Sequence, residues 1–388
     1  IVGAGVESIP GIKIAKQMGL HVVVSDLNPT APGFESADDT IIASTYDVQG
    51  TVLAAKRYHE SVRHINGVIC IASDIPLTIA SVADELGLVG ISLESAYLAS
   101  DKLAMKRKFS KDSISIPWFS EIHNIEELKS ALEEKNFPLI LKPVDSRGAR
   151  GVLRLTDDLD VSWAFDEAFK HSPTNRVMIE EYITGPQVST ESIVLDGKCF
   201  TSGFSDRNYE LLERYTPHVI ENGGDIPSKL SKIDQSAIYN LIEQAAKSLG
   251  VKNGVVKGDI VINNGKPYVI ELAARLSGGY FCSHQIPLNS GVEIVLEAIK
   301  ISMGETIHEE DLIPKYNRPV SQRYLFPPQG RVVSISGVEE VAERSSIALC
   351  EIRVKEGDII GPVHNHPARA GVVIAQGATQ AEAQSEAL

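Results

Sequence analysis

The sequence lacks several features that would assign it to common protein classes. It contains only four cysteines, Cys70, Cys199, Cys282 and Cys350, and they are widely spaced without a CxxC pair. This spacing predicts buried free thiols rather than a disulfide framework. Free thiols are typical of a reducing compartment, so we expect a cytoplasmic protein.

Long apolar runs and positive charge are also scarce. No run reaches the ~18 residues that a membrane-spanning helix needs. The opening residues have no basic flank or small-residue cleavage site, so we expect no signal peptide. With 37 basic and 51 acidic residues, the formal net charge is −14. This charge argues against nucleic acid or an anionic membrane as a partner, but it permits small anionic ligands beside local Lys and Arg clusters.

What remains is an ordinary globular composition, with 43% hydrophobic and 23% charged residues in 388 positions. That length predicts two to four lobes rather than one small core. In the first hundred residues short apolar strands alternate with helical patterns, which predicts a parallel, doubly wound α/β sheet. Strands are expected at 1–2, 21–25, 40–43 and 67–71, and helices at 10–18 and 75–86.

The opening run Gly3-Ala4-Gly5-Val6-Glu7-Ser8 lies between the first predicted strand and the first predicted helix. Glycines at such a junction are typical of a dinucleotide-binding loop, but Ser8 stands in place of the third glycine. Asp26 ends the next strand, where a ribose-binding acid can lie. A tight turn, or a loop that faces a different substrate, fits the same residues, and the sequence leaves the role of this loop open.

Beyond residue 100 the pattern changes to helices separated by strands and hairpins. Helices are predicted at 102–109, 124–135, 160–170 and 233–249, and strands at 137–143, 177–183, 189–195, 199–204, 255–262 and 267–272. A Pro-rich passage at 314–328 precedes several strands within 331–374 and a final helix. The predicted domains are therefore 1–100, 101–183, 184–312 and 313–388.

A candidate phosphate site begins at Lys142, the last polar residue of an apolar strand. The Gly-rich turn Ser146-Arg-Gly148-Ala-Arg-Gly151 follows directly. Glycines let backbone N–H groups approach an anion closely, and a lysine supplies a point charge suited to phosphate oxygens. A solvated basic hairpin tip is the simpler alternative.

A second candidate is the run Glu180-Glu181-Tyr182-Ile183, at the end of another strand. Adjacent acids in such a place are usually surface charge. Beside a nucleotide, however, the two acids can accept the adenine amino protons while the Ile183 backbone reads the edge of the ring.

The third candidate is a pair of strands joined at Asn263-Asn264-Gly265, with Asp259 on the first strand and Glu271 on the second. A three-residue loop with Gly265 in the left-handed region pairs 262 with 266, which makes the two acids diagonal neighbours on one face. A two-residue Asn-Gly loop would place them on opposite faces. We expect the longer loop and a shared Mg²⁺ or Mn²⁺ ion, because Mg²⁺ binds one or two carboxylates together with substrate phosphates. Two charges on an exposed hairpin face are the alternative.

Arg275 and the turn Ser277-Gly278-Gly279 follow the second acid at once. A guanidinium beside free backbone N–H groups suits a phosphoryl group in transfer or an acyl phosphate. We therefore expect Arg275, together with Lys142, to be catalytic.

In this order the motifs resemble the ATP-grasp superfamily over nearly the whole chain. The resemblance is carried by the N-terminal lobe, Lys102, the Lys142 loop, the run 180–183, Asp259 and, most specifically, the run 269–279. It implies an N-terminal βαβ lobe, a two-lobed core that grasps ATP and a small β-rich C-terminal domain. It also implies that Lys102 and Lys142 bind phosphates, that 180–183 bind adenine, and that a carboxylate becomes an acyl phosphate which an amine attacks.

The C-terminal stretch resembles the closing domain of L-amino-acid ligases, which make dipeptides. The residues that carry this resemblance lie at 323–331, 337–339 and 369–379. The resemblance implies an ATP-dependent carboxylate–amine ligase that joins an amino acid to an amine or a second amino acid and releases ADP and phosphate, and it is consistent with a homodimer. The same end also resembles purine-pathway and biotin-carboxylase-like relatives. The alternatives are therefore a purine-pathway carboxylase or formate ligase, or a nucleotide-binding module without catalysis.

Three positions depart from the ATP-grasp pattern. Gln187 stands where relatives have a ribose-binding glutamate, and Asp259 stands where Glu is usual. Ala273 replaces a metal-binding Asn, which leaves open whether one or two metals bind. Candidate substrate residues are more weakly indicated, and they are His284, Arg323, Arg369, Gly278 and Gly279, with His364 and His366 beside them.

Overall fold

A computed structural model describes all residues, 1–388. The N-terminal lobe is built on the parallel strands β1 (Val23–Asp26) and β2 (Asp39–Ile42). The predicted strands at 1–2 and 67–71 run alongside as extended chain, with Val2 bridged to Ser25 and its N–H bonded to Ile69 O at 2.9 Å. The lobe's helices are α1 (Ile9–Gln17), α2 (Val48–Ser61), α3 (Pro76–Leu86) and α4 (Leu93–Ser100). The last of these, and α2, were not predicted from the sequence.

The small lobe contains a four-stranded antiparallel sheet in the order β3-β6-β4-β5. Its elements are α5 (Lys102–Lys111), β3 (Phe119–Ile122), α6 (Ile125–Glu134), β4 (Leu139–Pro143), β5 (Leu153–Leu155), α7 (Val161–Lys170) and β6 (Val177–Glu181). The predicted Asn cap is confirmed, since Asn124 accepts a hydrogen bond from Glu127 N, and Asp160 caps α7 in the same way. Leu139, Leu141 and Ile179 pack against α6 and α7, so alternate residues of β4 and β6 point the other way.

An eight-stranded sheet spans both the large lobe and the C-terminal region, in the order β11-β10-β7-β8-β9-β12-β16-β14. Its strands are β7 (Gln187–Leu195), β8 (Lys198–Asn208), β9 (Gly223–Ile226), β10 (Gly254–Asn263), β11 (Lys266–Ala273), β12 (Val320–Leu325), β14 (Ile347–Ile352) and β16 (Gly371–Gln376). A further pair, β13 (Gly330–Arg331) and β15 (Ile359–Ile360), lies apart. The predicted boundary at 312/313 therefore crosses a continuous sheet, because β12 pairs directly with β9.

The remaining helices cover this sheet and its edges. They are α8 (Leu212–Tyr215), α9 (Lys232–Ser248), α10 (Ile286–Ser290), α11 (Ile294–Ser302), α12 (Val338–Ala342) and α13 (Gln380–Ala387). Helix α9 buries Ile238, Leu241 and Ile242 against one face of the sheet, which contributes Val188, Ile260, Val269 and Leu272. The residues between these along each strand face the opposite side, and that face is polar. The predicted hairpin at Asp196-Gly197 is confirmed.

No helix of the structure is long and apolar enough to cross a membrane. The four cysteines are free, as predicted; Cys70 and Cys282 are buried, whereas Cys199 and Cys350 are partly exposed. Burial raises the pKa of the Cys70 thiol to about 12, so this thiol stays protonated at neutral pH.

Candidate active site

One cavity of about 670 Å³ lies between the polar face of the eight-stranded sheet, the small lobe and the N-terminal lobe. Basic side chains of the small lobe, the large lobe and the C-terminal region line it, namely Lys102, Lys142, Arg147, Arg150, Arg207, Lys257, Arg275, Arg353 and Arg369. They stand among a similar number of acids, in a chain whose net charge is −14. The cavity is therefore much less negative than the protein around it, which favours an anionic ligand there.

The Gly-rich loop forms one wall of this cavity. Gly148, Ala149 and Gly151 have positive φ angles of 63°, 59° and 70°. A side chain on Gly151 would meet Pro143 and His171 at 3.0 Å or closer, so the tight turn requires glycine there. Two residues that lie outside the loop in sequence hold its backbone. Lys102 Nζ donates to Ser146 O at 2.9 Å, and His366 N donates to Gly148 O at 3.0 Å.

Lys142 projects into the cavity from β4, on the face opposite the small-lobe core. It is 3% exposed, and its ammonium donates to Glu180. Lys106 approaches the other Glu180 oxygen at 3.1 Å. Burial alone would raise the pKa of Glu180, but the two lysine charges outweigh it and lower that pKa. Glu180 therefore holds a charged lysine at the cavity wall.

Glu180 also lines the cavity, where its carboxylate already faces two ammonium groups. Its contact with an adenine ring stays a prediction. Glu181, Tyr182, Ile183 and Gln187 line the same part of the cavity. Their nucleotide-binding roles stay predictions. Lys106 was missed by the sequence reasoning, since only the buried contact with Glu180 distinguishes it from other lysines of α5.

The hairpin that carries Asp259 and Glu271 differs from its predicted form. Its loop has two residues, Asn264 and Gly265, both with positive φ, and Asn263 pairs with Lys266. That loop alone would separate the two acids onto opposite faces. A β-bulge at Ile270 restores the register, because Ile260 pairs with Val269 while Asp259 pairs with Glu271. The expected loop was wrong, but the two acids do lie directly opposite each other on one face.

Both acids face the cavity and are surrounded by cations. Asp259 Oδ1 lies 2.7 Å from Arg207 Nη1 and 3.1 Å from Ser189 Oγ, and it also accepts from Lys257. Burial opposes the ionisation of Asp259, yet the Arg207 and Lys257 charges hold its pKa well below the usual range. Glu271 Oε1 lies 3.2 Å from Lys102 Nζ. Asp259 is thus kept anionic at neutral pH, and Glu271 is paired with Lys102.

These two carboxylates fit a divalent cation whose other ligands come from a phosphate chain. The structure contains no group of three or more His, Cys, Asp or Glu side chains placed to hold a metal. A complete protein cage is thereby absent, and Ala273 at the cavity wall adds no ligand. Mg²⁺ does not need such a cage, because it commonly uses one or two carboxylates plus phosphate oxygens and water.

Arg275 lies next to this pair and is fixed by Asp74, whose Oδ1 is 3.1 Å from Arg275 Nε. Burial alone would lower the pKa of Arg275, but the Asp74 charge outweighs it and raises that pKa. The following turn is anchored by Glu191, which accepts from both Ser277 N and Ser277 Oγ. Burial raises the pKa of Glu191 to about 7. Gly278 and Gly279 complete the turn at the cavity wall, as predicted for the Arg275 motif.

Two of the predicted substrate residues lie outside the cavity. Arg323 is 4% exposed and forms an ion pair with Asp225 at 3.0 Å. Its neighbours in β12, Gln322 and Tyr324, line the cavity instead, because successive residues of a strand point to opposite faces. His284 is not among the cavity residues and bonds to Ser283 Oγ at 2.9 Å. The structure therefore does not place Arg323 and His284 in the cavity, where their predicted substrate role would require them.

Arg369 and His366 do reach the cavity. Arg369 lies over the Tyr324 ring, 3.5 Å from its centroid, and donates to Glu221 O at 3.0 Å. His364 stacks on His218 instead, with ring centroids 4.4 Å apart. The two histidines of the His364-Asn365-His366 run thus have different neighbours and do not form a metal pair.

Asp26 holds the opening glycine loop in place. Asp26 Oδ2 accepts from Ala4 N at 2.9 Å, so its carboxylate fixes the loop rather than facing a ribose. From that loop Glu7 reaches the cavity beside Gly279. The loop therefore reaches the cavity at the Gly278-Gly279 turn.

Two parts of this chain match known protein families. Residues 99–279 match the family model described as "ATP-grasp domain". The chain contains an ATP-grasp domain. Residues 323–388 match the model described as "L-amino acid ligase C-terminal domain 2". The ATP-grasp domain thus runs from the end of α4 to Gly279 and includes every predicted phosphate and metal residue.

Individual relatives are distant. Alanine–anticapsin ligase of Bacillus subtilis (strain 168) is 26% identical over 222 residues, which are 51% of this chain and 46% of that protein. An uncharacterized protein of Sinorhizobium fredii (strain NBRC 101917 / NGR234) is 20% identical over 96% of this chain and 77% of its own length. The chain spans only 28% of the carbamoyl phosphate synthase large chain of Thermoanaerobacter pseudethanolicus.

Solved structures share the fold. The L-amino acid ligase from Bacillus licheniformis superposes with a TM-score of 0.82 at 19% identity, covering 99% of this chain and 94% of that one. Phosphoribosylglycinamide synthetase from Anaerococcus prevotii gives 0.75 at 20% identity, with 99% and 95% coverage. The chain thus has the ATP-grasp fold and resembles L-amino acid ligases.

The stacked pair His218 and His364, at the contact between the small lobe and the C-terminal region, predicts a pH effect on stability. His218 is 7% exposed, and burial together with the His364 charge lowers its pKa from 6.5 to about 4. The unfolded chain then binds more protons than the folded one between these values. The contribution of His218 to stability is full above pH 6.5 and is lost as pH drops toward 4, by about 3 kcal/mol at most.

The measurement is the melting temperature of the wild type and of His218→Gln between pH 7 and pH 4.5. We expect the wild type to lose several degrees more than the variant over this range. Other titrating groups, such as Glu191, affect both proteins equally. Their effect therefore cancels when the melting temperature of the variant is subtracted from that of the wild type at each pH. Parallel pH curves would contradict the assignment.

Proposed function

We propose that this protein is an ATP- and Mg²⁺-dependent carboxylate–amine ligase that joins an amino acid to an amine or a second amino acid, with release of ADP and phosphate. The observation that carries this proposal is the single cavity in which Asp259 and Glu271 stand opposite each other, with Lys102, Lys142 and the Gly-rich loop beside them. Such a set matches what a nucleotide phosphate chain requires, namely fixed cations, backbone N–H groups and carboxylates for a metal.

The nucleotide would lie along the small lobe. Its base would contact the chain at 181–183, its ribose would lie near Gln187, and its phosphates would pass beneath the loop 146–151. Lys142 and Lys102 are both held by acids in the structure, so their charges are fixed before the ligand arrives. This preorganisation favours phosphoryl transfer, which depends mainly on positioning and electrostatic stabilisation.

Asp259 and Glu271 are the residues that would hold Mg²⁺. When bound, the ion would neutralise the charge that develops on the phosphates. Arg275, fixed by Asp74, would bind the phosphoryl group or the acyl phosphate. In the following turn Ser277 N and Gly279 N are already bonded to Glu191 and Glu7, so Gly278, which lines the same cavity, is the turn residue whose N–H has no bonded acceptor. The amine would then attack the acyl carbon and displace phosphate, without a protein nucleophile.

The test is phosphate release from ATP with Mg²⁺ and a panel of amino-acid pairs, with product identification by mass spectrometry. We expect at least one pair to stimulate release well above the rate with ATP alone, with one dipeptide or amide formed per phosphate. A matched control omits the amine, because acyl-phosphate formation without an acceptor should give at most slow hydrolysis.

Two other outcomes would point elsewhere. Stimulation by ribonucleotide intermediates with bicarbonate or formate, and none by amino acids, would favour a purine-pathway type of ligase. Binding of ATP without release in any combination would favour a non-catalytic nucleotide-binding module. Either result overturns the proposed substrate class.

A further inference from the structure

A cluster of four side chains closes the end of the cavity beside the Gly278-Gly279 turn. It consists of Glu7 from the N-terminal loop, Tyr280, and Glu351 and Arg353 from the C-terminal region. Arg353 Nη2 lies 2.8 Å from Glu7 Oε1, and Arg353 Nε lies 2.6 Å from Glu351 Oε1. Tyr280 donates its hydroxyl to Glu351. Three distant parts of the chain thus meet at one charged cluster.

The cluster has one negative charge in excess. Arg353 faces two carboxylates, and no second cation is bonded to either Glu7 or Glu351. The side chains of Glu7 and Arg353 are only 24% and 22% exposed. An unbalanced charge in a partly buried place is costly unless a ligand of opposite sign completes it. The site is therefore electrostatically suited to a cation.

Glu7 and Arg353 line the cavity, whereas Glu351 and Tyr280 stand behind them. Glu7 Oε2 also accepts from Gly279 N at 2.7 Å, which places it at the turn that follows Arg275. A side chain on Gly278 would meet Glu7 Oε2 at 2.8 Å, so the Glu7 carboxylate lies directly against this turn. In the proposed function this turn faces the carboxylate that becomes the acyl phosphate.

The chemistry decides which substrate would place a cation here. The attacking amine must be uncharged to act as a nucleophile, so a permanent ammonium site does not suit the acceptor. An α-amino acid donor carries its ammonium one carbon away from the carboxylate that reacts. Glu7 is at the appropriate end of the cavity to bind that ammonium while Arg275 binds the carboxylate.

We propose that Glu7 is a specificity-determining residue that binds the α-ammonium of the acyl donor, and that Arg353 and Glu351 fix its orientation. This inference rests on the proposed ligase function. The protein would then select amino acids over carboxylic acids that lack the amino group, by a residue of the N-terminal lobe rather than of the ATP-grasp domain.

The experiment compares donors that differ only in the ammonium, such as alanine with propionate and phenylalanine with 3-phenylpropionate, at a fixed acceptor. We expect the wild type to have a KM for the amino acid about tenfold or more below that for its deaminated analogue. In Glu7→Gln this preference should fall to within about threefold, while the KM for ATP stays unchanged. Glutamine keeps an oxygen for the Gly279 N–H, so the turn itself is preserved.

Glu351→Gln is the matched control, because it removes the same charge from the cluster at a position outside the cavity. It should change the donor preference less than Glu7→Gln does. An equal rise in KM for alanine and propionate in Glu7→Gln would mean a structural role and overturn the proposal. The proposal would also be overturned if the wild-type enzyme used the amino acid and its deaminated analogue equally well. This comparison needs only the wild-type protein, so it does not depend on whether a variant folds. Absence of wild-type turnover with every donor would instead refute the ligase function itself.

Discussion

Replacing Lys142 with methionine is expected to lower kcat/KM for ATP by about 10³-fold. Lys142 is a buried cavity cation whose ammonium is bonded to Glu180. Methionine keeps the length of the side chain but removes the charge that would face the phosphates. Single-turnover phosphate transfer, measured with saturating ATP, separates the loss of chemistry from the loss of binding.

Stability must be separated from catalysis in this variant, because loss of one lysine leaves the Glu180 charge less compensated. Removing one partner of a buried ion pair costs about 3–5 kcal/mol when no other partner remains. Here Lys106 remains at 3.1 Å, so we expect a smaller loss. Lys106→Met is the matched control. Lys106 touches the same carboxylate but does not line the cavity, so it should lower stability and leave the KM for ATP nearly unchanged. Equal kinetic effects of the two variants would contradict the phosphate role of Lys142.

The second large effect is expected for Glu271→Gln. Glutamine has the same shape but lacks the charge that a divalent cation requires. We expect the Mg²⁺ concentration for half-maximal activity to rise roughly 10–100-fold, with a lower rate at saturation. A Mg²⁺ titration at constant ATP, repeated with Mn²⁺, measures both changes.

Glu191→Gln serves as the control for Glu271→Gln. Glu191 is also a buried carboxylate on the same sheet, but it bonds to Ser277 and does not line the cavity. We expect it to lower the rate by loosening the Ser277–Gly279 turn while the Mg²⁺ requirement stays as in the wild type. If Glu271→Gln keeps the wild-type Mg²⁺ dependence, Glu271 is not a metal ligand.

Much of the fold was predictable because strong local patterns agree with the tertiary structure. The helices at 102–111, 125–134 and 161–170 begin at Asn or Asp caps, or carry clear apolar periodicity. The hairpin at Asp196-Gly197 follows from its turn residues alone. Helix α2 was missed because its amphipathic pattern is interrupted by Gly50 and by polar residues near its end. The domain boundaries remain predictions.

The site was predicted less completely. The direction in which a side chain points depends on the strand register, and its burial depends on residues that are distant in the sequence. Asp259 and Glu271 point to the same face of the sheet only because of a β-bulge at Ile270. The residues of the turn do not predict that bulge. Arg323 was predicted as a substrate residue without a register for β12, and in the structure its neighbours Gln322 and Tyr324 line the cavity instead. Glu7, 272 residues before Gly279 in sequence, could be found only once the two loops were seen in contact.

The continuity of the eight-stranded sheet has a consequence for engineering this chain. Strand β12 covers the edge of β9 through four paired positions, from Val320 with Ile226 to Arg323 with Gly223. Removal of residues after 312 would leave that edge with unpaired N–H and C=O groups, a surface prone to aggregation. A chimera that exchanges the C-terminal region with that of another ligase must therefore match the β9 edge as well. Specificity is more safely altered by substitutions in loops that face the cavity than by transplanting the terminal segment.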